Sequence, residues 1–131
     1  MGIQVQWDAQ DPDILVFDLR SQWTWDEFHA TVQDLLVMIN SAAPPIYIMT
    51  LSAAGFPHSP SILSEFQKVS RLLPPSIALV VVVTDNFLVE TVNEIFFRVS
   101  PLGRRIGRLA KTIDAARAII ADHRTQRDAA S

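Results

Sequence analysis

The chain has 131 residues, enough for one domain, and 49% hydrophobic with 19% charged residues supplies a real core under an ordinary polar surface. A formal net charge of −3 offers no basic excess for a nucleic-acid partner. The absence of cysteine removes disulfides, thiolate nucleophiles and cysteine-ligated metals.

No basic stretch followed by an apolar one opens the chain. Its longest apolar run, Ile77 to Val83, is far shorter than the roughly 20 residues a membrane-spanning helix needs. The expectation is a soluble cytoplasmic protein without integral membrane association.

"IQVQW" alternates and "ILVFDL" is rich in β-formers, while the intervening "DAQDPD" has the Asp and Pro of a turn, so an antiparallel hairpin is expected. "TWDEFHATVQDLLVMIN" opens with Thr24 and Glu27 in capping-box spacing, and Phe28, Val32, Leu35, Leu36 and Ile39 share one helical face. "SAAPP" stops that helix, because neither proline can donate to the ladder, and "IYIMTL" reads as a third strand.

The loop "SAAGFPHS" follows. Ser59 as N-cap with Pro60 at the first helical position would start a second helix, burying Ile62, Phe66, Val69 and Leu73. "IALVVVV" is the plainest strand, since consecutive valines are stiff at χ1 and its lack of alternation implies two covered faces. A third helix, "FLVETVNEIFFRVS", places Leu88, Val92, Ile95, Phe96 and Val99 on an inward arc and leaves Phe87 and Phe97 outside it. A weak strand around "RIGRLA" and a final helix from Thr112 complete a domain over residues 1–124; residues 125–131, "TQRDAAS", read as a frayed polar tail.

The fold class is therefore α/β: a single mixed, mostly parallel sheet in the order ββαβαβαβα. That order, with the closing "T-x-D-A-A-x-x-I-I" helix and the pair "TWDEFHATVQDLL" and "LSEFQKVSRLLPPSIALVVVV", resembles the STAS domain of anti-sigma-factor antagonists and small bacterial STAS-like or SEC14-like proteins. The resemblance implies crossover helices mainly on one side of the sheet. With both faces of Ile77 to Val83 apolar, it also implies a partner or second protomer over the other face, hence a homodimer.

The same resemblance implies a phospho-switch serine where the third strand ends. The matching place reads Thr50-Leu51-Ser52, with threonine where the family has aspartate. Ser52, Ser59 and Ser61 are the candidates, because phosphate near a helix N-terminus meets oriented N–H groups and the positive end of the dipole. Helix capping and turn bonding account for the same serines.

No complete catalytic motif is present. His58 has no acid near it in sequence; His29 and His123 lie on polar helix sides without carboxylates at metal-ligand spacing; Asp26 and Glu27 project about 100° apart on their helix. Asp8, Asp11 and Asp13 lack the glycine and distal glutamate of a calcium loop and read as a solvated turn. The glycines form no phosphate-binding loop. No metal and no cofactor are expected. Arg104, Arg105 and Arg108 fall in a basic run suited to an anion, or to guarding an edge strand.

Two functions from different classes remain. One is a non-enzymatic regulatory or protein–protein interaction module that docks through Thr50, Phe56, His58, Phe87 and Phe97, with Trp23 and Trp25 adding aromatic surface. The other is a SEC14-like carrier of a small apolar or lipid-like ligand, for which the chain is short.

Overall fold

Five strands form one sheet in the spatial order of the sequence: β1 (Gln4–Trp7), β2 (Ile14–Asp18), β3 (Ile46–Leu51), β4 (Ile77–Val83) and β5 (Gly107–Ala110). β1 and β2 make the expected antiparallel hairpin, and every later pair is parallel. The computed structural model describes residues 2–53 and 55–130. Ala54 in the loop after β3 and Ser131 at the end of the expected tail lie outside the described residues.

The connections are α1 (Trp25–Asn40), α2 (Ile62–Ser70), and a pair, α3 (Phe87–Val99) with α4 (Pro101–Ile106). Because each parallel strand is added on the same side of its predecessor, right-handed crossovers bring all these helices to one face of the sheet. Leu15, Phe17, Ile48 and Val80 point to that face and join Trp23, Trp25, Phe28, Val32, Leu35 and Ile39 in its core. Each such fully buried side chain stabilises the fold by about 1.5–3 kcal/mol relative to exposure.

The opposite face carries Ile14, Val16, Tyr47, Met49, Leu51, Leu79, Val81 and Val83. Its cover is the last helix, α5 (Ile113–Ala130), which lays Ala116 and Ile120 on the sheet with no exposure of either. The apolar second face of β4 is thus met within the chain. This removes the reasoning that led from a two-sided strand to a second protomer.

α5 also runs straight through residues 125–130, which were expected to be a frayed tail. It is clasped to the β1–β2 turn by ion pairs. Arg117 binds both carboxylate oxygens of Asp8 at 2.8 Å, and Arg124 pairs with Asp11 and Asp13. The three aspartates are therefore helix anchors, not a solvated turn. The Arg117 guanidinium holds the Asp8 carboxyl below the usual carboxylate range.

Several helix ends differ from expectation. Ser61, not Ser59, caps α2 by accepting from the Ser64 N–H at 3.2 Å; both serines precede the apolar run, and the later one wins. Thr24 caps α1 by accepting from the Glu27 N–H, but the Glu27 carboxylate also reaches outward to accept from the N–H groups of Gly2 and Ile3. The expected strand at "RIGRLA" shortens to four residues because Ser100 caps a helical turn with Pro101 at its start, the same Ser-Pro signal present in the sequence.

Candidate functional site

Between the sheet and α1, α2, α3 and α4 lies a cavity of about 130 Å³. Its floor is the sheet face carrying Phe17, Ile48, Val80 and Val82. Its walls are Phe28 and Leu35 from α1, Phe66 and Val69 from α2, Phe96 and Phe97 from α3, and Leu102 from α4. Among the described residues no charged side chain lines it.

The walls are joined by aromatic contacts running from the β2 side to α3. Phe28 meets Phe17 at 5.8 Å and Trp25 at 5.3 Å; Trp25 stacks on Phe56; Phe56 meets Phe66, Phe66 meets Phe96, and Phe96 meets Phe97 at 6.3 Å. These centroid separations lie in the range where offset and edge-to-face pairs are favourable. The loop after β3 closes one side. The Trp25 indole N–H donates to the Pro57 carbonyl at 3.0 Å, and Phe56, with Trp23, separates the cavity from an open surface groove around Gly2, Thr24 and Gly55.

Thr50 and Ser52 sit at the end of β3, two residues apart and so on one face, and both line the cavity; Thr50 lies beside Phe17 and Val82 in the strand register. Ser52 is 8% exposed and its amide donates to the Val83 carbonyl. Asn93 enters from α3, 7% exposed, and one of its amide N–H groups donates to the Val89 carbonyl at 2.8 Å. Ser52 is a candidate switch residue, yet its hydroxyl lies inside. Ser61 is exposed at its cap, and Ser59 donates to Glu65. The His29 imidazole, 2.9 Å away, holds the Glu65 carboxyl below its ordinary range, with Ser59 and Lys68 adding to the effect.

The proposed contact residues disperse. Phe56 belongs to the aromatic wall and Phe97 to the cavity, whereas His58 is exposed and Phe87 is 81% exposed. Trp23 and Trp25 are buried, so the aromatic surface expected from them is core. The inward arc of α3 is also different: Leu88, Ile95 and Val99 face solvent, while Val89 and Asn93 are buried with Phe96 and Phe97 beside them.

Arg104 and Arg105 lie on α4 and are exposed, Arg104 donating to the Arg98 carbonyl; Arg108 lies on β5 and donates to the carbonyls of Gly107 and Arg105. His123, placed on a polar helix side by sequence, is half-buried instead, its Nδ1 3.0 Å from the Tyr47 hydroxyl. Among the described residues no group of three His, Asp or Glu side chains could hold a metal, and no helix is long and apolar enough to cross a membrane.

Sequence reasoning reached a pocket between helices and sheet only through the SEC14-like resemblance, and it did not place Asn93 or the glycines of α4 and β5 in its wall. The available signals were Asn93, a polar residue two turns after the Asn86 cap and in line with the apolar Val89 and Phe96, and Gly103 with Gly107, a four-residue spacing that lets Phe97 lie close to the α4 backbone. Comparison with protein-family models, curated proteins and solved structures finds no match to the chain. The likeness to STAS and SEC14-like proteins rests on element order and pattern alone.

Proposed function

We infer that this domain is a non-enzymatic binding module whose cavity takes a small, neutral, apolar molecule, acting as its carrier or sensor. The observation that carries the reading is the uncharged aromatic cavity of about 130 Å³ at the carboxyl ends of β3 and β4. Pockets lined by aromatic and aliphatic side chains with few polar groups are the usual form of a small-molecule site. The volume is close to the roughly 150 Å³ apolar cavity known to accept benzene, so it takes one ring and not a lipid acyl chain.

Methyl NMR during a benzene titration tests this. The methyl signals of Leu35, Val69, Val80 and Leu102 are expected to shift along one saturable curve, with those of the exposed Val37 and Leu72 unmoved. Unmoved cavity methyls at saturating benzene would end the reading.

A second reading, self-association, is favoured by α3. Leu88, Val92, Ile95 and Val99 are spaced four, three and four residues apart, the heptad spacing of a helix seam; three of them are exposed, and Val92 is half-buried. In an antiparallel pair related by a two-fold axis Leu88 meets Val99 and Val92 meets Ile95, so the stripe complements itself. Sedimentation should then show a dimer that Ile95→Glu converts to monomer; a wild-type monomer at high micromolar concentration would exclude it.

A further inference from the structure

Two polar side chains more than nine-tenths buried in the cavity wall have hydrogen-bonding capacity that the described residues leave unused; the less buried Thr50 hydroxyl, which also lines the cavity, is a third. The Ser52 hydroxyl makes no hydrogen bond among the described residues, although Ser52 is 8% exposed. Asn93 spends one N–H on the Val89 carbonyl, which fixes the orientation of its amide; its carbonyl oxygen accepts from no described group, although the residue is 7% exposed. Among the described residues, every side-chain nitrogen or oxygen closed off from water has a hydrogen-bond partner. The free atoms of Ser52 and Asn93 therefore open onto space, and both residues line the same cavity.

Water can reach these atoms in the empty cavity, so a ligand that covers them without supplying a partner leaves them buried and unsatisfied at about 1–3 kcal/mol, which a ligand with a matching polar group avoids. A hydroxyl, unlike an ether or a methyl group, can accept from the Ser52 O–H and donate to the Asn93 carbonyl oxygen. A charged group is excluded, since among the described residues no side chain in the lining carries a charge to pair with it and desolvating a lone ion is costly. The volume admits one ring. Phe17, Phe28, Phe66 and Phe96 supply the faces and edges such a ring packs against.

We propose that the cavity selects a neutral, single-ring hydroxy compound of the phenol class, with its ring among those phenylalanines and its hydroxyl at Ser52 and Asn93. This rests on the cavity-binding reading above and narrows it to a ligand chemistry.

Phenol and toluene separate the two claims, because they share a shape and differ in hydroxyl against methyl. Both are titrated into the full chain, followed by the cavity methyl signals, with benzoate as the charged comparison. Phenol is expected to bind at least as tightly as toluene, and benzoate not to bind. Ser52→Ala, which keeps the backbone bond to Val83, should weaken phenol about five- to tenfold and leave toluene within twofold.

Toluene binding with phenol rejected would overturn the phenol assignment and leave the cavity reading standing. Rejection of both would remove both. Equal weakening of the two ligands by Ser52→Ala, or none, would overturn the role of Ser52. If that variant does not fold, Ser52→Cys, which retains the volume with a much weaker donor, makes the same comparison.

Discussion

The ring of Phe97 lies where a side chain on Gly107 would have to be: a Cβ built there falls 2.5 Å from Phe97 Cδ1 and 2.6 Å from the Gly103 carbonyl oxygen. Gly107 is the first residue of β5 and pairs with Val80 in the floor of the cavity. The close approach is what seats α3 and α4 against the sheet edge. Gly107→Ala must displace the ring or the backbone, and overpacking of this kind costs about 1–3 kcal/mol. Urea unfolding should show that loss as a lower midpoint at constant slope, and an unchanged midpoint would deny the contact.

Val80→Ile adds one methylene to the cavity floor while keeping the β-branch that suits a central strand. Filling empty apolar space should raise stability by up to about 0.8 kcal/mol. The same change should weaken benzene binding, since the space is the site. Thermal melts with and without benzene measure both effects, and stabilisation accompanied by unaltered benzene affinity would place the ligand elsewhere.

Arg117→Ala strands the Asp8 carboxylate, whose side chain is only 9% exposed, and should cost about 2 kcal/mol, the scale of hydrogen bonds to charged groups. Asp8 has a depressed folded pKa, with the Arg117 hydrogen bond as the largest cause. The contribution is therefore complete above the ordinary carboxylate value of about 3.9 and disappears as pH falls through the lower folded value. Wild type and variant should differ most near neutral pH and converge in strong acid. A constant gap across that range would show that the pair does not titrate as a unit.

Tyr47 and His123 should give a second, milder pH dependence. Burial holds the His123 imidazole below its usual range, the charges of Arg127 and Arg108 push the same way, and Asp122 opposes them. The unfolded chain then takes up the proton first, so this contribution is whole above about pH 6.5 and declines as pH drops toward the lower folded value. Neutral His123 with its proton on Nε2 accepts the Tyr47 hydroxyl at Nδ1. Melting temperatures from pH 7.5 to 5 should fall more steeply for wild type than for His123→Gln, and parallel lines would remove His123 as the cause.

Strand order and helix positions were legible because each rests on a strong local signal: the valine run of β4, the prolines after α1, and the Phe28 to Ile39 face. α3 was misread for a definite reason. It is apolar on two arcs, so a rotation of about 100°, one residue, replaces Leu88 by Val89 and Val92 by Asn93 while Phe96 stays inward, and periodicity alone cannot choose between them. The polar Asn93 made the true inner arc look like the outer one. The cavity was hidden because no single segment encodes it: Phe28, Phe66 and Phe96 belong to three different helices. The clasp of Asp8 by Arg117 spans 109 positions and leaves no local trace.

The placement of α5 also bears on how the chain matures on the ribosome. Domains assemble as they emerge, and chains caught with bare apolar surface are prone to aggregate. Here the face carrying Tyr47, Met49 and Val81 gains its cover from Ala116 and Ile120, which emerge only after every strand of the sheet. A nascent polypeptide halted before those residues has a sheet with one naked side, so a chain stopped at Thr112, just ahead of α5, should yield material that chaperones retain rather than a smaller working domain.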